Sequence, residues 1–176
     1  MIIGICGLIG AGNIGSIVAN RAHGLKMKVI AYDPFLTEER ALELGIVKVD
    51  LDTLLSRADF VSLHTPLTDQ TRNILSRERL ENAKQGIRIV NCARGGLIDE
   101  NALRDLLESG HVAGAALDVF ETEPARESPP EPLRTPMESA ISCVLRREWA
   151  CRLSSGCSPG IYALIDVLGM LPAVFF

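Results

Sequence analysis

The chain has 176 residues, with 18 basic and 22 acidic side chains and a net charge of −4. Apolar residues make up 47 % and charged residues 23 %, which argues against a disordered, collagen-like or low-complexity chain and fits one soluble domain, or one and a piece. The acidic balance and the lack of a basic stripe exclude an unselective nucleic-acid binder, and five Cys without regular spacing set no disulfide framework, the pattern of a reducing compartment.

Along residues 1–124, strand and helix patterns alternate. Ile2–Ile9 is a continuous apolar run, as in a strand buried on both faces. Gly10–Gly15 is a turn, after which Ile14, Ile17, Val18, Ala22 and Leu25 recur at helical spacing. Met27–Tyr32 predicts a second strand, Thr37–Leu44 a short helix capped by Thr37, Ile46–Val49 a strand and Asp52–Arg57 one or two helical turns. Phe60–Leu63 is a strand stopped by Thr65-Pro66. Ser76 caps a helix running to about Lys84, ended by Gly86. Ile87–Asn91 is a strand, Asp99–Glu108 a helix with Leu103, Leu106 and Leu107 on one face, and Val112–Val119 the last strand. Strands separated by helical segments predict an α/β fold, a doubly wound parallel sheet of the Rossmann type.

A seam lies near Pro124. Residues 1–124 hold 13 basic and 17 acidic residues; residues 125–176 hold five of each, with six of the nine Pro, three of the five Cys and the only Trp. We therefore separate an α/β domain of the Rossmann type, 1–124, from a divergent tail, 125–176. The apolar start has no basic n-region before Arg21, which argues against a secretory signal. Ile161–Phe176 is apolar but interrupted by Asp166, Gly169 and Pro172 and short of the roughly 20 residues a spanning helix needs, so no membrane anchor is expected. The tail is expected to pack irregularly because its Pro residues break regular elements.

Gly10-Ala11-Gly12-Asn13-Ile14-Gly15 fits G-x-G-x-x-G between an apolar strand and an amphipathic helix. Gly10 allows the tight turn, Gly12 the approach of backbone to a pyrophosphate, and Gly15 close packing of helix on strand. The helix start, at Asn13 and Ile14, offers free N–H groups to phosphate. Asp33 follows Gly15 by 18 residues, at the end of the second strand, where an acid can accept ribose hydroxyls. It would also repel a 2′-phosphate, and Pro34, Phe35 and Leu36 supply no cation, so NAD is favoured over NADP.

Ligands in such sheets bind beyond the carboxyl ends of the strands. His64-Thr65-Pro66, Cys92-Ala93-Arg94-Gly95-Gly96, and Asp118 with Phe120 and Glu123 follow the fourth, fifth and sixth strands. A cation at Arg94 suits a carboxylate substrate. Asp118 also fits a turn cap, and Glu123 alone reads as a solvated carboxylate. Cys92 has no neighbouring base and is expected to pack rather than react. His23 and His111 look like surface residues at helix ends, and no Cys or His set has metal-ligand spacing.

Five ordered segments, GLIGAGNIGSIV (7–18), KVIAYDPFL (28–36), SLHTPLT (62–68), IVNCARGGLIDENAL (89–103) and SGHVAGAALDVFETEP (109–124), resemble the D-isomer-specific 2-hydroxyacid dehydrogenases. The resemblance implies an NAD-dependent, cytoplasmic oxidoreductase acting on a D-2-hydroxy acid, 3-phosphoglycerate foremost, at the opening of serine biosynthesis, and a homodimer formed through the cofactor domain. It implies a cofactor-binding turn of Gly10, Gly12, Asn13, Ile14 and Gly15 in which Asn13 and Ile14 meet the pyrophosphate through backbone, with Asp33 at the adenosine ribose. Thr65, Cys92, Ala93 and Asp118 line the nicotinamide side. Arg94 binds the substrate carboxylate, and Glu123 tunes a catalytic His. Two alternatives within the resemblance are an NAD-sensing module akin to the family's corepressor members and a glycerate or hydroxypyruvate reductase-like enzyme.

The sequence departs from the family pattern twice. The family places a substrate domain before the cofactor domain, whereas Met1 here begins the first cofactor-domain strand. It also places the catalytic His in a T-P-H-x-G-A-like segment some 20 residues past the Glu, whereas residues 125–176 contain no His. The change of composition suggests a frameshift, a mis-called splice or a recombinant end.

Overall fold

Six strands and five helices alternate along residues 4–121, the part of the chain that the computed structural model describes. In chain order they are β1 (Ile5–Ile9), α1 (Asn13–Gly24), β2 (Lys28–Tyr32), α2 (Glu38–Glu43), β3 (Val47–Lys48), α3 (Leu51–Arg57), β4 (Phe60–Leu63), α4 (Arg77–Glu81), β5 (Ile87–Asn91), α5 (Glu100–Glu108) and β6 (Val112–Leu117). All pairings are parallel, in the order β3-β2-β1-β4-β5-β6. The order reverses between β1 and β4, the switch point where a doubly wound sheet opens a crevice.

Both faces of the sheet are covered, which is why its strands read as apolar runs rather than alternations. On one face Leu54 and Leu55 of α3, Leu80 of α4 and Leu103 of α5 pack on Ile9, Val61, Leu63 and Ile89. On the other, Val18, Ala19 and Ala22 of α1 and Ala41 of α2 pack on Cys6, Leu8, Val29 and Ala31. Capping residues begin the shorter helices. Thr37, Asp50, Ser76 and Asp99 each accept a hydrogen bond from the backbone N–H three residues on.

The expected elements are all present, and their bounds move for local reasons. Thr37 and Ser76 cap their helices as expected, Asp99 caps its helix rather than belonging to it, the Ser76 helix ends at Glu81 instead of near Lys84, and Asp50 caps the third helix, which starts at Leu51, one residue earlier than expected. The last strand stops at Leu117. The face of α1 is a correction. Its buried residues are Gly15, Val18, Ala19 and Ala22, while Ile14 and Ile17 are 58 % and 49 % exposed. The turn brings α1 so close to β1 that small residues fill the contact and the larger aliphatics face out. His111 is a second correction: it is half-buried, its Nε2 covered and without a partner among the described residues. Residues 1–3, Glu123 and the tail 125–176 lie outside the described residues, and with them the expectations for the tail.

Candidate functional site

The strand registers align the candidate residues. Tyr32, Ile9, Leu63, Asn91 and Leu117 stand side by side across β2, β1, β4, β5 and β6. The next residue of each strand, Asp33, Gly10, His64, Cys92 and Asp118, therefore forms a row along the carboxyl edge. Four of the five, Asp33, Gly10, Cys92 and Asp118, are expected site residues from different segments; the parallel register makes them one line.

At the centre of the row the turn after β1 is packed hard against β4. Gly10 has φ +95°, and a Cβ there would stand 2.7 Å from the His64 carbonyl oxygen. A Cβ on Gly15 would run into the Gly10 carbonyl. Gly12, in contrast, has nothing within 4 Å of where a Cβ would be. The first and third glycines are thus required by the fold itself, while Gly12 keeps backbone open to an outside group at the start of a 12-residue helix. Its unpaired N–H groups favour an anion.

Asp33 ties the neighbouring segments together. Its Oδ2 accepts from Ala11 N–H at 2.8 Å and its Oδ1 from Phe35 N–H at 2.8 Å. Each carboxylate oxygen keeps acceptor capacity, so the group can still take hydroxyls. Phe35 is 93 % exposed beside it.

The β5 end is built differently. Asn91 is only 2 % exposed, yet polar. Its Nδ2 donates to the Arg94 carbonyl at 2.9 Å, and its Oδ1 accepts from Ala93 N–H at 3.1 Å, so one buried amide shapes the turn that presents Arg94. The Arg94 side chain is exposed and donates through Nη1 to the Ala93 carbonyl at 2.6 Å. A Cβ on Gly95 would run into the Phe120 carbonyl, so this turn is held against the segment after β6. Residues 66–75 brace it from the other side. Asn73 N–H donates to the Gly96 carbonyl at 2.9 Å, and Leu75 bridges Ile98. Thr65 is half-buried at the start of that brace, and Asp118 is exposed after β6.

Burial pushes the Cys92 thiol up to about 11, with the nearby Asp118 carboxylate adding to the shift. Cys92 is therefore a neutral thiol at physiological pH and packs, as expected. His64 is pulled down to about 4 by burial, and its Nε2 is within 2.9 Å of Ser62 Oγ. Among the described residues no cluster of His, Cys, Asp or Glu could hold a metal ion, and no helix is long and apolar enough to cross a membrane.

Sequence reasoning missed Asn91, the Ser62–His64 pair and the brace. The signal for Asn91 was a lone amide closing an otherwise apolar strand; the brace, whose contacts join residues more than 20 apart, left none.

Comparison with known proteins agrees with this geometry. The family model for the D-isomer specific 2-hydroxyacid dehydrogenase NAD-binding domain matches residues 5–141. D-3-phosphoglycerate dehydrogenase of Bacillus subtilis (strain 168) is 52 % identical over 118 residues, 67 % of this chain and 22 % of that protein. The enzyme of the same name from Methanocaldococcus jannaschii is 49 % identical over 124 residues, 70 % of this chain and 24 % of that protein. The chain thus spans about a quarter of the length of these relatives. The NAD-complexed D-isomer specific 2-hydroxyacid dehydrogenase from Lactobacillus delbrueckii ssp. bulgaricus superposes with a TM-score of 0.64 at 43 % identity, over 68 % of this chain and 36 % of that one.

Proposed function

The chain belongs to the D-isomer specific 2-hydroxyacid dehydrogenase family, whose NAD-binding domain it carries, and from that premise we propose that it is the NAD-binding part of a D-3-phosphoglycerate dehydrogenase. The observation that carries the reading is the β1–α1 turn, closed at Gly10 and Gly15 and open at Gly12. In this reading the backbone of Gly12, Asn13 and Ile14 holds the pyrophosphate. Asp33 takes the adenosine ribose, and Thr65, Cys92, Ala93 and Asp118 line the nicotinamide side. When bound, the nicotinamide supplies the hydride acceptor or donor. Arg94 would hold the carboxylate of the 2-hydroxy acid, 3-phosphoglycerate, by a charge-assisted pair. Glu123 would orient the His that takes the hydroxyl proton.

None of this chain's own histidines fits that last role. His23 ends α1, and His111 precedes β6, at the opposite edge of the sheet. His64 is on the right edge, but its lowered basicity makes it a poor base near neutral pH. We therefore expect the 176-residue chain to bind NAD without appreciable turnover. The reading also carries a cytoplasmic location and a homodimer, for which exposed Ile14 and Ile17 offer apolar surface. The test measures NAD binding by calorimetry and NADH formation from 3-phosphoglycerate separately on the purified chain. Binding without turnover is expected. Turnover near 10 s⁻¹, an ordinary enzyme rate, would show that another residue serves as the base, and absence of NAD binding would overturn the reading.

A further inference from the structure

The turn that carries Asp33 holds a cation that its own sequence does not supply. Asp33 to Leu36 form a tight turn, with Leu36 N–H donating to the Asp33 carbonyl at 3.2 Å and Phe35 N–H to Asp33 Oδ1. Lys48, the last residue of β3, lies in register with Ala31, two residues short of Asp33 on the adjacent strand. Its side chain climbs the edge of the sheet and donates through Nζ to the Leu36 carbonyl at 2.6 Å. An ammonium has three N–H donors. Among the described residues Lys48 forms no ion pair, so its charge is not cancelled by a bound carboxylate. Asp33 thus opens the turn whose last carbonyl Lys48 holds from the neighbouring strand, at the adenosine end of the carboxyl edge, where the proposed function places the ribose.

We propose that Lys48 is a specificity-determining residue that sets, jointly with Asp33, the discrimination between NAD and NADP. A 2′-phosphate adds nearly two negative charges to the ribose. Asp33 opposes it through its fixed carboxylate, and Lys48 offsets part of that repulsion. Exclusion of NADP then rests on Asp33 outweighing a cation already in place, and removing the carboxylate leaves a turn prepared for phosphate. Inspection of residues 34–36 alone cannot reveal this, because the cation arrives from the neighbouring strand.

The proposal rests on the dinucleotide reading, and its test separates the two. Four chains are titrated with NAD and with NADP: unsubstituted, Asp33→Ser, Lys48→Met and the double variant. Met keeps the aliphatic stem at this exposed edge position, and thermal melts check that all four fold. Asp33→Ser is expected to raise the NADP-to-NAD affinity ratio at least tenfold. Adding Lys48→Met to Asp33→Ser should lower that ratio at least fivefold, an effect that shrinks as salt rises. A ratio that Lys48→Met leaves unmoved in the Asp33→Ser background, with NAD still bound by the unsubstituted chain, would overturn the proposal alone. Failure of the unsubstituted chain to bind NAD would overturn the dinucleotide reading and this proposal with it.

Discussion

Around β1 and β2 the groups facing the carboxyl edge are backbone N–H groups fixed by glycines and by Asp33; past β5 and β6 they are the exposed side chains of Arg94 and Asp118. In the proposed function the first half recognises by shape, through residues 10–36 seated against the end of β4 at His64. The second presents charges proposed to face the substrate carboxylate and the nicotinamide, and Glu123, proposed to orient the base, lies outside the described residues. The proposed pyrophosphate and ribose subsite thus rests on backbone and Asp33 among the described residues, whereas the proposed substrate side also calls on Glu123 and a His.

The sharpest way to break the comparison is to damage the first half through its fold. Gly15→Ala would place a methyl on the Gly10 carbonyl, so α1 must move or the turn must open. We expect a loss of about 3 kcal/mol or more of unfolding free energy, the upper end for overpacking, read from denaturant titration. Near-unchanged stability would mean that α1 is not held to β1 as described.

The second half should fail differently. Asn91→Ala removes a buried amide and leaves the Ala93 N–H and Arg94 carbonyl without that partner. A loss of about 1–3 kcal/mol follows from unsatisfied buried groups, with NAD affinity changed less than in a turn variant. If NAD affinity falls as far as in a β1–α1 turn variant, the Asn91–Arg94 turn contributes as much to dinucleotide binding as that turn does, and the two halves are not separable.

A smaller effect probes the seam between the halves, where His64 ends β4. Its folded pKa of about 4 lies below the ordinary value of 6.5 because burial disfavours the charged imidazolium. Between these values the unfolded chain holds a proton that the folded chain lacks, so stability rises with pH there. The contribution is fully present above the unfolded value and is lost as pH falls from about 6.5 towards 4, by about 2 kcal/mol at pH 5 and about 3 kcal/mol in full. Comparison of His64→Gln with the parent at pH 5 and pH 7.5 isolates it. An equal difference at both pH values would contradict the buried, neutral imidazole.

The same contrast explains what was legible in the sequence. Backbone subsites need glycines at set spacing and an acid at the next strand end, so Gly10, Gly12, Gly15 and Asp33 stood out, as did the alternating elements. The exposed side of α1 was misjudged because Ile14 and Ile17 match helical spacing as well as Val18 and Ala22 do; only the closeness of α1 to β1 selects the small residues. Lys48 and the brace at residues 66–75 act through contacts between segments distant in sequence, which no local pattern encodes; Asn91 acts locally, on Ala93 and Arg94, but an amide ending a strand does not by itself show which backbone groups it holds. Arg94 was legible as an unexplained cation between an apolar strand and two glycines, but the amide that shapes its turn was not.

Gly12 tests the central claim most directly, because the fold does not require its lack of a side chain and the proposed ligand does. Calorimetric titration of Gly12→Ala beside the parent chain, with NAD and with NADP, is the measurement. Expected are one NAD site on the parent, weaker NADP binding, and at least a tenfold loss of NAD affinity in Gly12→Ala, with unfolding free energy within about 0.5 kcal/mol of the parent, the range of an exposed substitution. Unchanged NAD affinity in Gly12→Ala, or a parent that binds neither nucleotide, would contradict it.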